Sequence, residues 1–173
     1  MPTVWVLDTS SLVDMKHIPL AEQWTIFRAM EVMAEGGELA LARHVVREVS
    51  KIRFPDVPGA WANGMGSKLY HPAEASYVTV TEVMKVAGDV VGLDDPGDPA
   101  DPYVLALALE LSRGGSAVTI VTEDRVDRLP LKISLRRGCE LFGLSWCRCH
   151  EFLEAVRASA TIVAAGEGDA LPF

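Results

Sequence analysis

At 173 residues the chain has the length of one ordinary domain, enough to bury a core without disulfides or a structural metal. Its 49% hydrophobic content excludes a disordered chain, and its net charge of −8 is opposite in sign to that of a passive nucleic-acid coat protein. No apolar run reaches the length of a membrane span, and Met1-Pro2-Thr3-Val4-Trp5 lacks the basic segment and cleavage site of a signal peptide. The three cysteines are an odd number, all at or beyond Cys139, which argues against a secreted disulfide framework. A reducing, cytoplasmic setting with no membrane partner is expected.

The chain opens with Val4-Trp5-Val6-Leu7, a short β-branched apolar run that reads as a buried strand. Asp8-Thr9-Ser10-Ser11 suits a turn or a helix N-cap. Residues 20–34 predict a helix with Trp24, Phe27, Met30 and Ala34 at helical spacing, ended by Gly36-Gly37. Leu39 to Ala42 is a candidate short strand, and His44 to Ile52 predicts a helix. Pro55, Pro58, Gly59, Gly64 and Gly66 mark a long irregular loop. Residues 72–91 read as one helix or two. Asp94 to Pro99 is a turn, in which Asp94 and Asp95 are solvated. Asp101 to Leu111 predicts a helix apolar nearly all round, hence buried. Ala117 to Val121 is a buried strand. A short helix over 131–137, a strand at Glu140-Leu141-Phe142 and a helix over 148–158 complete the pattern. Residues 1–160 read as a single domain and 161–173 as a flexible tail.

Short buried strands alternating with helices argue for an α/β fold on a parallel sheet, in which ligands bind beyond the carboxyl ends of the strands. Asp8 follows the first strand, at a core rim where an uncompensated carboxylate costs several kcal/mol. The competing explanation is a helix cap. Glu48 lies at the edge of the stripe Val45, Val46, Val49 and Ile52, where the alternative is an ordinary helical pair with Lys51. Asp101 opens the all-apolar helix. Its alternative is a first-turn acid that complements the helix dipole. Asp98 is either a partner ligand or a cap. In Val121-Thr122-Glu123-Asp124, extended backbone puts Thr122 and Asp124 on one side, so Asp124 is preferred and Glu123 is the substitute. Four carboxylates meeting at one sheet edge would supply hard oxygen ligands suited to Mg²⁺ or Mn²⁺, ions that bind phosphate oxygens and activate water. Arg125, beside Asp124, is a candidate phosphate contact or a solvated loop residue.

Cys147-Arg148-Cys149-His150 would need a second ligand cluster to hold zinc, so its cysteines are read as small apolar residues. His17, His44 and His71 show no nucleophile pairing. No glycine-rich phosphate loop is present.

The same motifs resemble the PIN domain family. They are Val6-Leu7-Asp8-Thr9-Ser10-Ser11-Leu12, Arg47-Glu48-Val49, Ala100-Asp101 with its apolar helix, and Val121-Thr122-Glu123-Asp124, in matching order over about residues 3–145. The resemblance implies a three-layer sandwich with a central, mainly parallel sheet flanked by helices. It also implies a metal-dependent endoribonuclease, often the toxin of a toxin–antitoxin pair. Asp8, Glu48, Asp101 and Asp124 would then be the catalytic and metal-site acids, with Ser10 a supporting hydroxyl. RNA would be the substrate, and an antitoxin protein and a second copy of the chain the partners. The segment 54–91 exceeds what a minimal member needs, and Arg125 to Pro130 departs from the common toxin pattern. A catalytically silent interaction domain on the same fold is the alternative.

Overall fold

The computed structural model describes residues 3–51, 56–66, 74–93 and 97–167, with residues 162–167 described by backbone alone. Ile52, Arg53, Pro55, His71, Asp94, Asp95 and the tail from Gly168 lie outside the described residues.

Four strands form one all-parallel sheet: β1 (Thr3–Leu7), β2 (Leu39–Ala40), β3 (Ala117–Val121) and β4 (Ser145–Cys147), in the order β2-β1-β3-β4. Val4, Val6, Leu7, Ile120 and Val121 are all buried, as expected of parallel strands covered on both faces. In register, Val6 lies opposite Ile120 and Leu7 opposite Val121.

The chain leaves β1 toward β2 on one side, then returns past β1 to β3 and β4 on the other. Right-handed crossovers therefore put the helices that follow β1 on one face and those that precede β3 on the opposite face. Helices α1 (Thr9–Asp14) and α2 (Leu20–Glu35) form the first layer, and α8 (Cys149–Glu167) packs on α2. Phe152 of α8 meets Trp5 of β1, ring centroids 5.4 Å apart. Helix α6 (Asp101–Arg113) lies on β1 and β3, with α5 (Tyr77–Ala87) and α7 (Leu135–Phe142) against it. Helices α3 (Arg43–Ser50) and α4 (Val57–Met65) pack together between β2 and α5 in the chain. The α/β class and the three-layer arrangement are as expected, and the crevice where the strand order reverses falls between β1 and β3.

Several local expectations change. The segment read as an irregular loop contains α4. Pro58 sits in its first turn, where a proline costs no hydrogen bond, and Asp56 caps it by accepting from Gly59 N at 3.1 Å. Glu140-Leu141-Phe142 is not a strand but the last turn of α7, which starts at Leu135 under a Ser134 cap rather than at Leu131. The fourth strand is Ser145–Cys147 instead. The helix expected to stop at Ala158 runs to Glu167, into the segment read as tail. Phe27, Met30 and Ala34 are buried on α2, but Trp24 is 77% exposed. Cys139 and Cys149 are buried and all three cysteines are free, as the apolar reading expects.

Helix α7 reaches α6 closely because residue 138 is glycine. A Cβ there would stand 2.8 Å from Leu105 Cδ1. Leu105 is fully buried and fills the space between the two helices. Leu105→Ala is expected to lower stability by about 2–5 kcal/mol in urea unfolding, the usual loss for a buried leucine cut back to a cavity.

Candidate active site

The carboxyl edge of β1 and β3 continues past the sheet without a break. Asp8 N donates to Val121 O at 3.0 Å, and Thr122 N donates to Cys147 O at 3.0 Å. Asp8 and Thr122 are thus held side by side on adjacent strands, 2% and 0% exposed.

Asp8 caps α1, so the capping explanation describes its geometry. Oδ1 accepts from Thr9 N at 2.7 Å. Oδ2 accepts from Ser10 N at 3.3 Å, Ser10 Oγ at 2.5 Å and Thr122 Oγ1 at 2.9 Å. These donors favour the ionised carboxylate, but burial outweighs them and raises its pKa above the ordinary range. Ser10 Oγ also accepts from Glu123 N at 2.9 Å, and Thr122 Oγ1 from Asp124 N at 3.0 Å. Two hydroxyls therefore tie Asp8 to the backbone of the Glu123-Asp124 turn.

That turn separates its two acids. Glu123 points to the start of α8, accepting from Cys149 N at 3.0 Å and from the Arg148 guanidinium at 3.3 Å. Asp124 Oδ2 points to the start of α7, accepting from Leu135 N at 3.1 Å, and lies 3.2 Å from Lys132 Nζ. Asp124, preferred over Glu123 from the alternation of an extended backbone, is the acid on the Lys132 side. Arg125 faces Glu123 across 3.6 Å, on the α8 side of the turn.

Asp101 is the first residue of α6 and is 9% exposed. Lys132 Nζ donates to its Oδ2 at 2.5 Å, so one ammonium bridges Asp101 and Asp124. Burial, then the charge of Asp8, pushes the Asp101 pKa up to about 7 against the pull of Lys132, and Asp124 adds to the rise. An acid in an ion pair still titrates high here because one ammonium does not offset burial and two further carboxylates. Lys132 loses from burial but gains more from Asp101 and Asp124, which hold its pKa above the ordinary range.

Glu48 joins this group through Thr9 and Ala100 rather than by contact with another acid. One oxygen accepts from the Thr9 hydroxyl, and Oε1 accepts from Ala100 N at 2.8 Å. It braces the start of α1 against the start of α6, a role that is neither the Lys51 pair nor a direct contact with the other acids. Beside it Asp98 accepts from Tyr103 Oη at 3.0 Å and lies 3.0 Å from His44 Nε2, while the His44 and Tyr103 rings stack at 3.3 Å. Asp98 is a pin between α3 and α6, not a partner of Asp101. None of these acids lines the cleft of about 700 Å³ between α2 and α4, which is walled by Trp24, Phe27, Val57 and Trp61.

Among the described residues, no three or more His, Cys, Asp or Glu side chains stand ready to hold a metal ion. The donor chemistry nevertheless suits a hard cation. Asp8 and Asp124 both act on Asp101 electrostatically, and the cation between Asp101 and Asp124 is Lys132. Lys132, Thr9 and Thr122 are the site residues that pattern reading did not single out. Lys132 sits between the apolar Leu131 and Ile133, which marks a lysine in a packed loop but not its partner. No protein-family model matches this chain, and no curated protein does.

Glu48→Ala leaves the buried Ala100 N–H and the Thr9 hydroxyl without an acceptor. It is expected to cost about 1–3 kcal/mol in urea unfolding, with Glu48→Gln recovering part of the loss. Asp101 makes a prediction with a sign. Its folded pKa of about 7 lies above the unfolded carboxylate value, so folding binds its proton more tightly. Its contribution is full below about pH 4 and is lost as pH rises toward 7. In chelator, unfolding free energies at pH 4.5 and 7.5 should show Asp101→Asn gaining on the wild type at the higher pH. An unchanged difference would show that Asp101 titrates normally.

Proposed function

We propose that this protein is a divalent-metal-dependent endoribonuclease of the PIN type, with Asp8, Asp101 and Asp124 as the acids that hold Mg²⁺ or Mn²⁺. The observation that supports it is one ammonium bridging Asp101 and Asp124, with Asp8, at the end of β1, near enough to raise the Asp101 pKa. Buried like charges are costly, and sequence order alone gives no structural reason to gather them there. A bound divalent ion supplies a more acidic water and neutralises charge on a phosphodiester. The protein's own residues do the rest. Ser10 and Thr122 orient Asp8 and favour its ionised form against the effect of burial, and Glu48 fixes the helix starts that carry Asp8 and Asp101. RNA as the substrate rests on the resemblance of the four motifs.

A catalytically silent domain is favoured by a different observation. The acids are already satisfied within the chain, Asp8 by four donors, Glu48 by two and Asp101 by Lys132.

End-labelled single-stranded RNA incubated with the protein and Mn²⁺ separates the two. Cleavage is expected, stopped by chelator and lowered by more than about 100-fold in Asp101→Asn, since even supporting groups of a metal site are worth 10–100-fold. Equal cleavage by both proteins, or none by either across varied RNAs, supports the silent domain.

A further inference from the structure

We infer that Lys132 is a tethered competitor for the cation position of the acid site, which must leave Asp101 and Asp124 before both can hold a divalent ion. The inference rests on the metal-site reading above. It starts from the geometry of one ammonium placed 2.5 Å from Asp101 Oδ2 and 3.2 Å from Asp124 Oδ2, on a side chain only 17% exposed.

The backbone that carries this lysine is fixed on both sides. Arg128 N donates to Lys132 O at 2.8 Å and Lys132 N to Arg128 O at 3.1 Å. Ile133 N donates to Asp89 O at 2.9 Å, and Leu93 N to Leu131 O at 3.2 Å. Asp127 accepts from Ser134 N at 2.8 Å, which closes the loop onto the start of α7. The Cα of Lys132 is therefore anchored, and the four-carbon stem is the part free to move. An ammonium is a compact, strongly hydrated point charge with no preference for the two-oxygen geometry that would hold a guanidinium. It offsets part of the charge of Asp101 and Asp124, yet contributes one positive charge against the two carboxylates it bridges and the further charge of Asp8. A divalent ion contributes two and binds carboxylate oxygens directly. The two cations want the same oxygens, so their occupancies exclude each other.

Two measurements test this on the whole chain. In the first, the wild type is treated with an amine-acetylating reagent in chelator and in saturating Mn²⁺, and each lysine is quantified by mass spectrometry. Modification of Lys132 is expected to rise several-fold with Mn²⁺, while the exposed Lys16 and Lys85 stay unchanged. In the second, Mn²⁺ is titrated calorimetrically into wild type and Lys132→Met. The variant should bind about tenfold more tightly, the order of magnitude of one competing charge interaction. Mn²⁺ binding to the wild type with Lys132 still protected, or equal or weaker binding by a folded Lys132→Met, would overturn the competition and leave the metal site standing. No Mn²⁺ binding to either protein would instead remove the metal-site reading, and the competition with it. The labelling experiment needs no variant, so a Lys132→Met that fails to fold leaves it decisive.

Discussion

Asp8 ends a strand that is buried on both faces, so its carboxylate stands where water cannot solvate it. Four hydrogen bonds compensate, and their donors come from the first turn of α1 and from Thr122 on the neighbouring strand. The same two hydroxyls, on Ser10 and Thr122, then accept from the backbone of Glu123 and Asp124. The need to satisfy one buried acid thus shapes the turn after β3. That turn sends Glu123 to cap α8 and Asp124 toward α7. The carboxyl edge of the sheet is organised outward from this one group.

A second acid makes the arrangement costly. Asp101 enters from α6 with 9% exposure, and Asp8 and Asp124 both add to its burden. Lys132 relieves part of it. Removing one partner of a buried pair commonly costs several kcal/mol, because the other charge is left uncompensated. Glu48 contributes without adding to the charge contact, since it binds an N–H and a hydroxyl at the two helix starts. The result is a site in which one ammonium bridges Asp101 and Asp124, while Asp8 is held by backbone and hydroxyl donors and adds its charge to Asp101. In chemical terms it is a cation site whose cation belongs to the chain.

Much of this was legible in the residues. Asp8 after an unbroken apolar run, and Asp101 at the head of an all-apolar helix, are carboxylates in places where solvation is poor. Their depth follows from local pattern alone. Alternation in an extended segment separated Asp124 from Glu123. Glu48 was legible only to its position at the edge of the core, because its partners Thr9 and Ala100 lie 39 and 52 residues away. Lys132 was not legible at all, since its 31-residue separation from Asp101 depends on how α6, β3 and the loop before α7 come together. The helix α4 was hidden by Pro58 and Gly59, which mark loops on average yet suit the first turn of a capped helix. The three residues Glu140-Leu141-Phe142 are too few to distinguish a period of two from one of 3.6.

The proposed nuclease activity depends on a single shared cation position at the β1/β3 crevice. Calorimetric titration of Mn²⁺ into the wild type and Asp124→Asn tests that position most directly. Saturable binding by the wild type, lost or much weakened in Asp124→Asn while the fold is retained, is the predicted result. Identical binding by the two proteins, or no binding by the wild type, would contradict it.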